Sequence, residues 1–147
     1  MNSALQFNVS PYAPFMQETK VTLGNGIELH VEMGGNPEHP TILLIMGLGA
    51  QMLFWPDFFC KSLIDQGFRV IRFDNRDIGL SSKIREKRKR LNTMKLMSRF
   101  IIGLGNEGAP YTLYDMADDV SMLIDQLGLE KTYLIGASMG GMISQIV

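Results

Sequence analysis

Lys131-Thr132-Tyr133-Leu134-Ile135-Gly136-Ala137-Ser138-Met139-Gly140-Gly141-Met142-Ile143 is the stretch that decides how the other residues of this 147-residue chain are read. Its first five residues are rich in β-branched and aromatic side chains and read as a strand. Met142, Ile143, Gln145 and Ile146 read as the opening of a helix. Between them stands Gly-x-Ser-x-Gly, the pattern of a sharp strand-to-helix turn that projects a serine hydroxyl outward. Side chains two residues to either side of such a serine would collide, so Gly136 and Gly140 meet a steric demand. The alternative is a glycine-rich turn whose serine only caps the helix.

Upstream, strands and helices alternate. Thr112 with Asp115 three residues on resembles a capping box. Leu113, Met116, Ala117, Val120, Leu123, Ile124 and Leu127 then step at helical spacing up to Gly128. Arg69-Val70-Ile71-Arg72-Phe73 reads as a strand. A helix is expected from Pro56-Asp57 to Gly67, with Phe58, Phe59, Leu63 and Ile64 inward. Thr41 to Met46 is apolar on both faces, as in a strand inside a parallel sheet. Lys20–Leu23 and Ile27–Met33 flank Gly24-Asn25-Gly26 as a hairpin. The expected class is α/β: an antiparallel hairpin leading into a mainly parallel sheet with helices on both faces. Residues 1–18 form a lead, and 19–147 a partial domain. Residues 83–110 read as an insertion, basic and then apolar, predicted as a helix followed by a glycine-rich loop.

Composition excludes several classes. With 46% apolar and 20% charged residues the chain is neither disordered nor fibrous. A single cysteine, Cys60, allows no internal disulfide framework and reads as a buried thiol in a reducing compartment. The N-terminus lacks the basic-then-apolar layout of a secretory signal, and the apolar run Ile42–Met46 falls far short of the roughly 20 residues a membrane span needs. A soluble, cytoplasmic protein is expected. Residues 83–99 hold eight of the fourteen Lys and Arg against Glu86, so this segment is +7 and the remainder −8. The run reads as a solvated face or a docking surface. Without interleaved aromatics it does not point to nucleic acid.

A serine at such a turn is a candidate nucleophile, and the anionic oxygen that develops when it attacks a carbonyl needs preorganised donors. The Met139 N–H, at the positive end of the new helix, is one. The loop Met46-Gly47-Leu48-Gly49 supplies a second, the N–H of Leu48, with Gly47 allowing close backbone approach. Gly47 and Gly49 could instead simply make a turn. Met52 and Trp55 read equally as acyl-pocket lining or core. Asp74-Asn75-Arg76-Asp77 combines carboxylates with an arginine at a strand end, and a structural pairing through Arg76 is favoured over catalysis.

Four stretches in order resemble the α/β-hydrolase superfamily, in the esterase branch similar to aclacinomycin methylesterase. They are Ile45–Gly49 with Trp55-Pro56, Phe73–Ser81, Tyr111–Asp119 and Gly136–Met142. Many relatives carry His-Gly where this chain has Met46-Gly47. The resemblance implies a serine nucleophile at Ser138, a small-molecule ester substrate, carboxylic-ester hydrolase chemistry through an acyl enzyme, and neither metal nor organic cofactor. In that fold an acidic residue and then a histidine follow the serine. Nine residues follow Ser138, and none is acidic or a histidine. His30 lies inside a strand and His39 in the Pro37–Pro40 turn, so neither reads as a base.

The strand from Lys131 would moreover be an exposed sheet edge, and the helix after Ser138 is short. The expectation is therefore the N-terminal half of a hydrolase, truncated after the Ser138 turn and inactive alone, or one half of a split protein completed by a C-terminal half. The competing reading is a non-catalytic remnant or interaction module with the same partial fold. A dinucleotide-binding reading of Gly47-Leu48-Gly49 with Asp74 fails, because the third glycine position is Met52 and Pro56 starts the helix too far away.

Overall fold

Thr41–Ile45 (β4) is buried along its whole length because the sheet is covered on both faces at this strand. A computed structural model describes residues 5–84 and 110–147. The insertion expected at 83–110 therefore lies almost wholly outside the described residues. The other strands are Asn8–Val9 (β1), Gln17–Thr22 (β2), Glu28–Gly34 (β3), Arg69–Phe73 (β5) and Thr132–Gly136 (β6). They join in the order β1-β2-β3-β5-β4-β6. Pairing is antiparallel from β1 through β5 and parallel for β5-β4-β6, so the sheet is mixed and its parallel part is three strands wide.

Alternation along β4 sorts its side chains between two apolar layers. Ile42 and Leu44 face Asp57–Asp65 (α1), together with Val70, Cys60, Ala13 and Met16. Leu43 and Ile45 face Leu113–Gln126 (α2) and Met139–Ser144 (α3), through Met116, Val120, Leu123 and Ile143. Helices thus cover both faces, as the sequence pattern predicts. The capping box of α2 is also present: the Asp115 N–H donates to Thr112 Oγ1, and the Thr112 N–H donates to the Asp115 carboxylate at 2.6 Å. The Thr112 hydroxyl, which donates to the same carboxylate at 2.7 Å, and the Thr112 N–H together hold the Asp115 carboxyl below its usual pKa.

The inner face of α1 differs from expectation at one residue. Phe58 is 77% exposed, while Cys60 is fully buried. Phe59, Cys60, Leu63 and Ile64 fall within one stripe of a 3.6-residue helix, and Phe58 lies about 200° from Cys60. The strand β2 begins at Gln17, earlier than the Lys20 start expected, because the lead folds back as β1 and pairs Val9 with Gln17.

Since β5, β4 and β6 run parallel as neighbours, their C-terminal ends share one edge of the sheet. The loops after Ile45, Phe73 and Gly136 therefore converge there, which is where open α/β sheets place their ligands.

Candidate functional site

The turn after β6 is shaped by collisions between backbones. A methyl group on Gly136 would stand 2.2 Å from Gly140 O, and one on Gly140 would stand 2.1 Å from Ile45 O. Neither position has room for a side chain. The Ala137 N–H still donates to Ile45 O at 3.0 Å, so sheet pairing with β4 runs right up to the turn. Ser138 then adopts φ 54° and ψ −119°, a conformation that costs a non-glycine residue about 1–3 kcal/mol. It is exposed, and its side chain makes no capping hydrogen bond to the helix it precedes. An N-cap residue normally keeps an extended backbone and turns its oxygen onto the helix amides. Both features are missing here, so helix capping does not account for this serine.

The loop leaving β4 lies directly against that turn. A Cβ at Gly47 would meet Ser138 Cβ at 3.2 Å and Ala137 O at 3.1 Å. Gly47 is thus the residue that lets the two segments touch. Gly49, at φ 74°, turns the chain away. The N–H groups of Leu48 and Met139 donate to no described residue. Two uncommitted amides beside an exposed hydroxyl can serve an oxygen that gathers negative charge.

The loop leaving β5 is a buried polar network. Arg76 makes a bidentate pair with Asp119 of α2, Nε to Oδ2 and Nη2 to Oδ1, each at 2.6 Å. Its Nη2 also donates to Asp115 O, and the guanidinium lies 5.2 Å from the centre of the Tyr111 ring. Burial works against the charge, but Asp119 outweighs it and raises the Arg76 pKa. Asn25, in the β2–β3 turn, donates to the same Asp119 carboxylate at 2.9 Å. The structural role expected for Arg76 is the one observed. Its partner went unassigned in the sequence, although an acidic residue on the inner stripe of α2, between Met116 and Leu123, was the signal available.

Asp74 and Asn75 reach toward the β4 loop instead. Asp74 Oδ1 accepts from the Met52 N–H at 2.9 Å, and Asn75 Nδ2 donates to Met46 O at 3.0 Å. His30 stands behind Asp74, its Nδ1 3.7 Å from Asp74 Oδ2 and its Nε2 3.1 Å from Glu18 Oε2. Asp74 raises the His30 pKa above 6.5 despite burial, and Glu18 adds to it. Burial would raise the Asp74 pKa, but His30 and the Met52 and Leu80 amides together bring it below 3.8.

The remaining residues singled out in the sequence divide plainly. Met52 is buried, and Trp55 stacks on Phe59 at 5.7 Å within the apolar layer under α1. Cys60 is fully buried, and burial pushes its thiol pKa up. His39 is exposed in its turn. A second charged pair was not foreseen: Glu32 and Arg72, cross-strand partners in β3 and β5, are fully buried with Nη2 2.6 Å from Oε2. Ser10 of the lead donates to the same Glu32 at 2.6 Å. Arg72 within the apolar run of β5 was the available signal, whereas Glu32 lies in line with Glu28 and His30 on the polar side of β3 and gave none. Among the described residues no group of three or more His, Cys, Asp or Glu could hold a metal ion, and no helix is long and apolar enough to cross a membrane.

A strained serine between a strand and a helix, at the C-terminal edge of the parallel part of a mixed sheet with helices on both faces, defines an α/β protein of the serine-turn type. The chain belongs to the α/β-hydrolase family: the family model described as alpha/beta hydrolase fold matches residues 40–147. It is similar to rhodomycin D methylesterase of Streptomyces peucetius, 27% identical over 88% of this chain and 37% of that protein. It is 31% identical to the AB hydrolase superfamily protein YfhM of Bacillus subtilis, over 82% of this chain and 34% of that one. Among solved structures, the enol-lactonase of Burkholderia xenovorans superposes with a TM-score of 0.62 at 27% identity, covering 84% of this chain and 38% of the other. The esterase-type likeness read from the sequence is borne out by these matches. The chain spans a little over a third of the length of these relatives.

Proposed function

We propose that Ser138 is the nucleophile of a serine hydrolase that cleaves a small-molecule carboxylic ester through an acyl enzyme. One observation carries this reading: an exposed, uncapped serine held at positive φ, with the Gly47 loop packed on it. The names of two relatives, a methylesterase and an enol-lactonase, support an ester as the bond attacked.

In the proposed reaction Ser138 Oγ attacks the ester carbonyl as its proton passes to a histidine. The tetrahedral oxyanion accepts the N–H groups of Met139 and Leu48. Collapse breaks the carbon–oxygen bond, and the leaving alkoxide takes the proton back from the histidine. Water, activated in the same way, then releases the acid and regenerates the serine. Neither histidine of this chain fits the role, since His30 is buried between Glu18 and Asp74 and His39 stands exposed in its turn. The proposal therefore takes the base and its carboxylate partner from protein outside these 147 residues, in the same polypeptide or in a complementing half. It calls for no cofactor, and the single buried Cys60 accords with a cytoplasmic location.

The test is covalent labelling of the protein as its source organism makes it. A fluorophosphonate probe should modify Ser138, mapped by peptide mass spectrometry, and ester substrate should slow the labelling. An unmodified Ser138 in protein that turns over esters would overturn the assignment.

A further inference from the structure

The loop between β4 and the helical turn Met52–Phe54 is gripped at both ends by two consecutive residues of another loop. Asn75 Nδ2 donates to Met46 O at 3.0 Å, one residue before Gly47. Asp74 Oδ1 accepts from the Met52 N–H at 2.9 Å. All four residues are at most 8% exposed. The segment between the two anchors, Gly47-Leu48-Gly49-Ala50-Gln51, holds two glycines, and its internal backbone bond, Ala50 N–H to Gly47 O, is long at 3.3 Å. Its own composition does little to hold it in one conformation.

The gripping residues are themselves fixed. The Asp74 N–H donates to His30 O, the Ile78 N–H donates to Asn75 O, and the Leu80 N–H donates to Asp74 Oδ2. Gly79 packs so tightly on the Asp74 carboxylate that a methyl group there would overlap it, 1.8 Å from Oδ2. The two side chains divide the work by chemistry. The Met46 carbonyl needs a donor, which a carboxamide supplies and a carboxylate does not. The Met52 amide needs an acceptor, which the carboxylate supplies.

We propose that Asn75, with Asp74, is the positioning residue of the site: by holding Met46 and Met52 it fixes the Gly47–Leu48 backbone against Ser138 and aims the Leu48 N–H at the substrate oxygen. This rests on the reading of Ser138 as nucleophile. An oxyanion donor is worth roughly 10²–10³ in kcat only while correctly placed, and a displacement of about 1 Å can cost roughly a hundredfold.

The experiment is a double-mutant cycle in the full-length protein, with kcat expressed per active site titrated by fluorophosphonate. Asn75→Asp, nearly isosteric but without the donor, should lower kcat about 10–100-fold and change KM less than about threefold. Leu48→Pro deletes the Leu48 N–H. In that background Asn75→Asp should lower kcat less than about threefold, because the group it positions is already gone. If Leu48→Pro fails to unfold cooperatively in urea, replacing the Leu48 amide by an ester linkage deletes the same N–H for the same cycle. Multiplicative losses, an effect confined to KM, or wild-type kcat in Asn75→Asp would each overturn the positioning role. Turnover retained in Ser138→Ala would instead overturn the nucleophile reading beneath it.

Discussion

The Ser138 turn and the Asp74–Ser81 loop lie on the same sheet edge yet hold their shapes by opposite means. The turn is fixed by exclusion: Gly136 and Gly140 have no room for a Cβ, and the backbone between them has few other ways to pass. The loop is fixed by attraction, through Arg76 to Asp119, Asn75 to Met46 and Asp74 to Met52, partners 22 to 43 residues away in sequence. Exclusion acts at contact range and leaves a Cβ nowhere to go, within the turn at Gly136 and against Ile45 O of β4 at Gly140. Attraction is long-range, so losing one partner strands the other.

The sharpest break between the regions comes from Ser138→Ala. It should reduce ester turnover by about 10⁴-fold or more while the urea midpoint stays unchanged, because alanine inherits the same backbone. Residual activity within tenfold of wild type would remove the chemical distinction between turn and loop.

Next in size is the buried pair. Arg76→Met or Asp119→Leu alone should cost about 3–5 kcal/mol in urea unfolding, since each strands a buried charge. The double variant should lose much less than the two single losses together. Additive losses would show that the pair acts as two independent packing residues.

Gly136→Ala and Gly140→Ala test exclusion directly. Each should destabilise the chain by about 1–3 kcal/mol or more, because the added carbon meets backbone rather than a side chain that could swing away. A loss near that of an exposed Gly→Ala change would show that the turn can relax.

The smallest effect is a pH slope. His30, with its folded pKa raised above 6.5, contributes stability that is complete below pH 6.5 and fades as pH rises through that raised value. Asp74, lowered from 3.8, contributes stability that is complete above pH 3.8 and fades as pH falls through its lowered value. Both are whole between the two. His30→Gln should flatten the loss of stability that wild type shows above pH 6.5, and an unchanged slope would remove His30 from the network.

What could be read from the sequence follows the same division. The strands, the capping box, the helix stripes and Gly136 were legible because each depends on residues within about one helical turn, whereas Gly140 was legible only through the Gly-x-Ser-x-Gly pattern, the atom it avoids being Ile45 O of β4. Phe58 was misplaced for the same local reason, since its neighbour Cys60 is a less conspicuous apolar residue than a phenylalanine. Asp119 and Arg72 carried a faint signal, charge in an otherwise apolar stripe or run, but not the identity of their partners, and Glu32, in line with Glu28 and His30 on the polar side of its strand, carried none.

By itself the sequence determined the alternation of strands and helices, the turn at Ser138 and the membership of the family that both announce. Only the tertiary structure decided that β5 lies between β3 and β4, and hence which loops meet at the edge beside Ser138. It also decided that Asn75 and Asp74 grip the β4 loop, and that Ser138 leaves the helix uncapped. The physical reason is distance along the chain. Propensity and the sterics of a single turn act between neighbours, whereas a hydrogen bond from residue 75 to residue 46, or the fit of Gly47 against Ser138, exists only once the sheet has set its strand order.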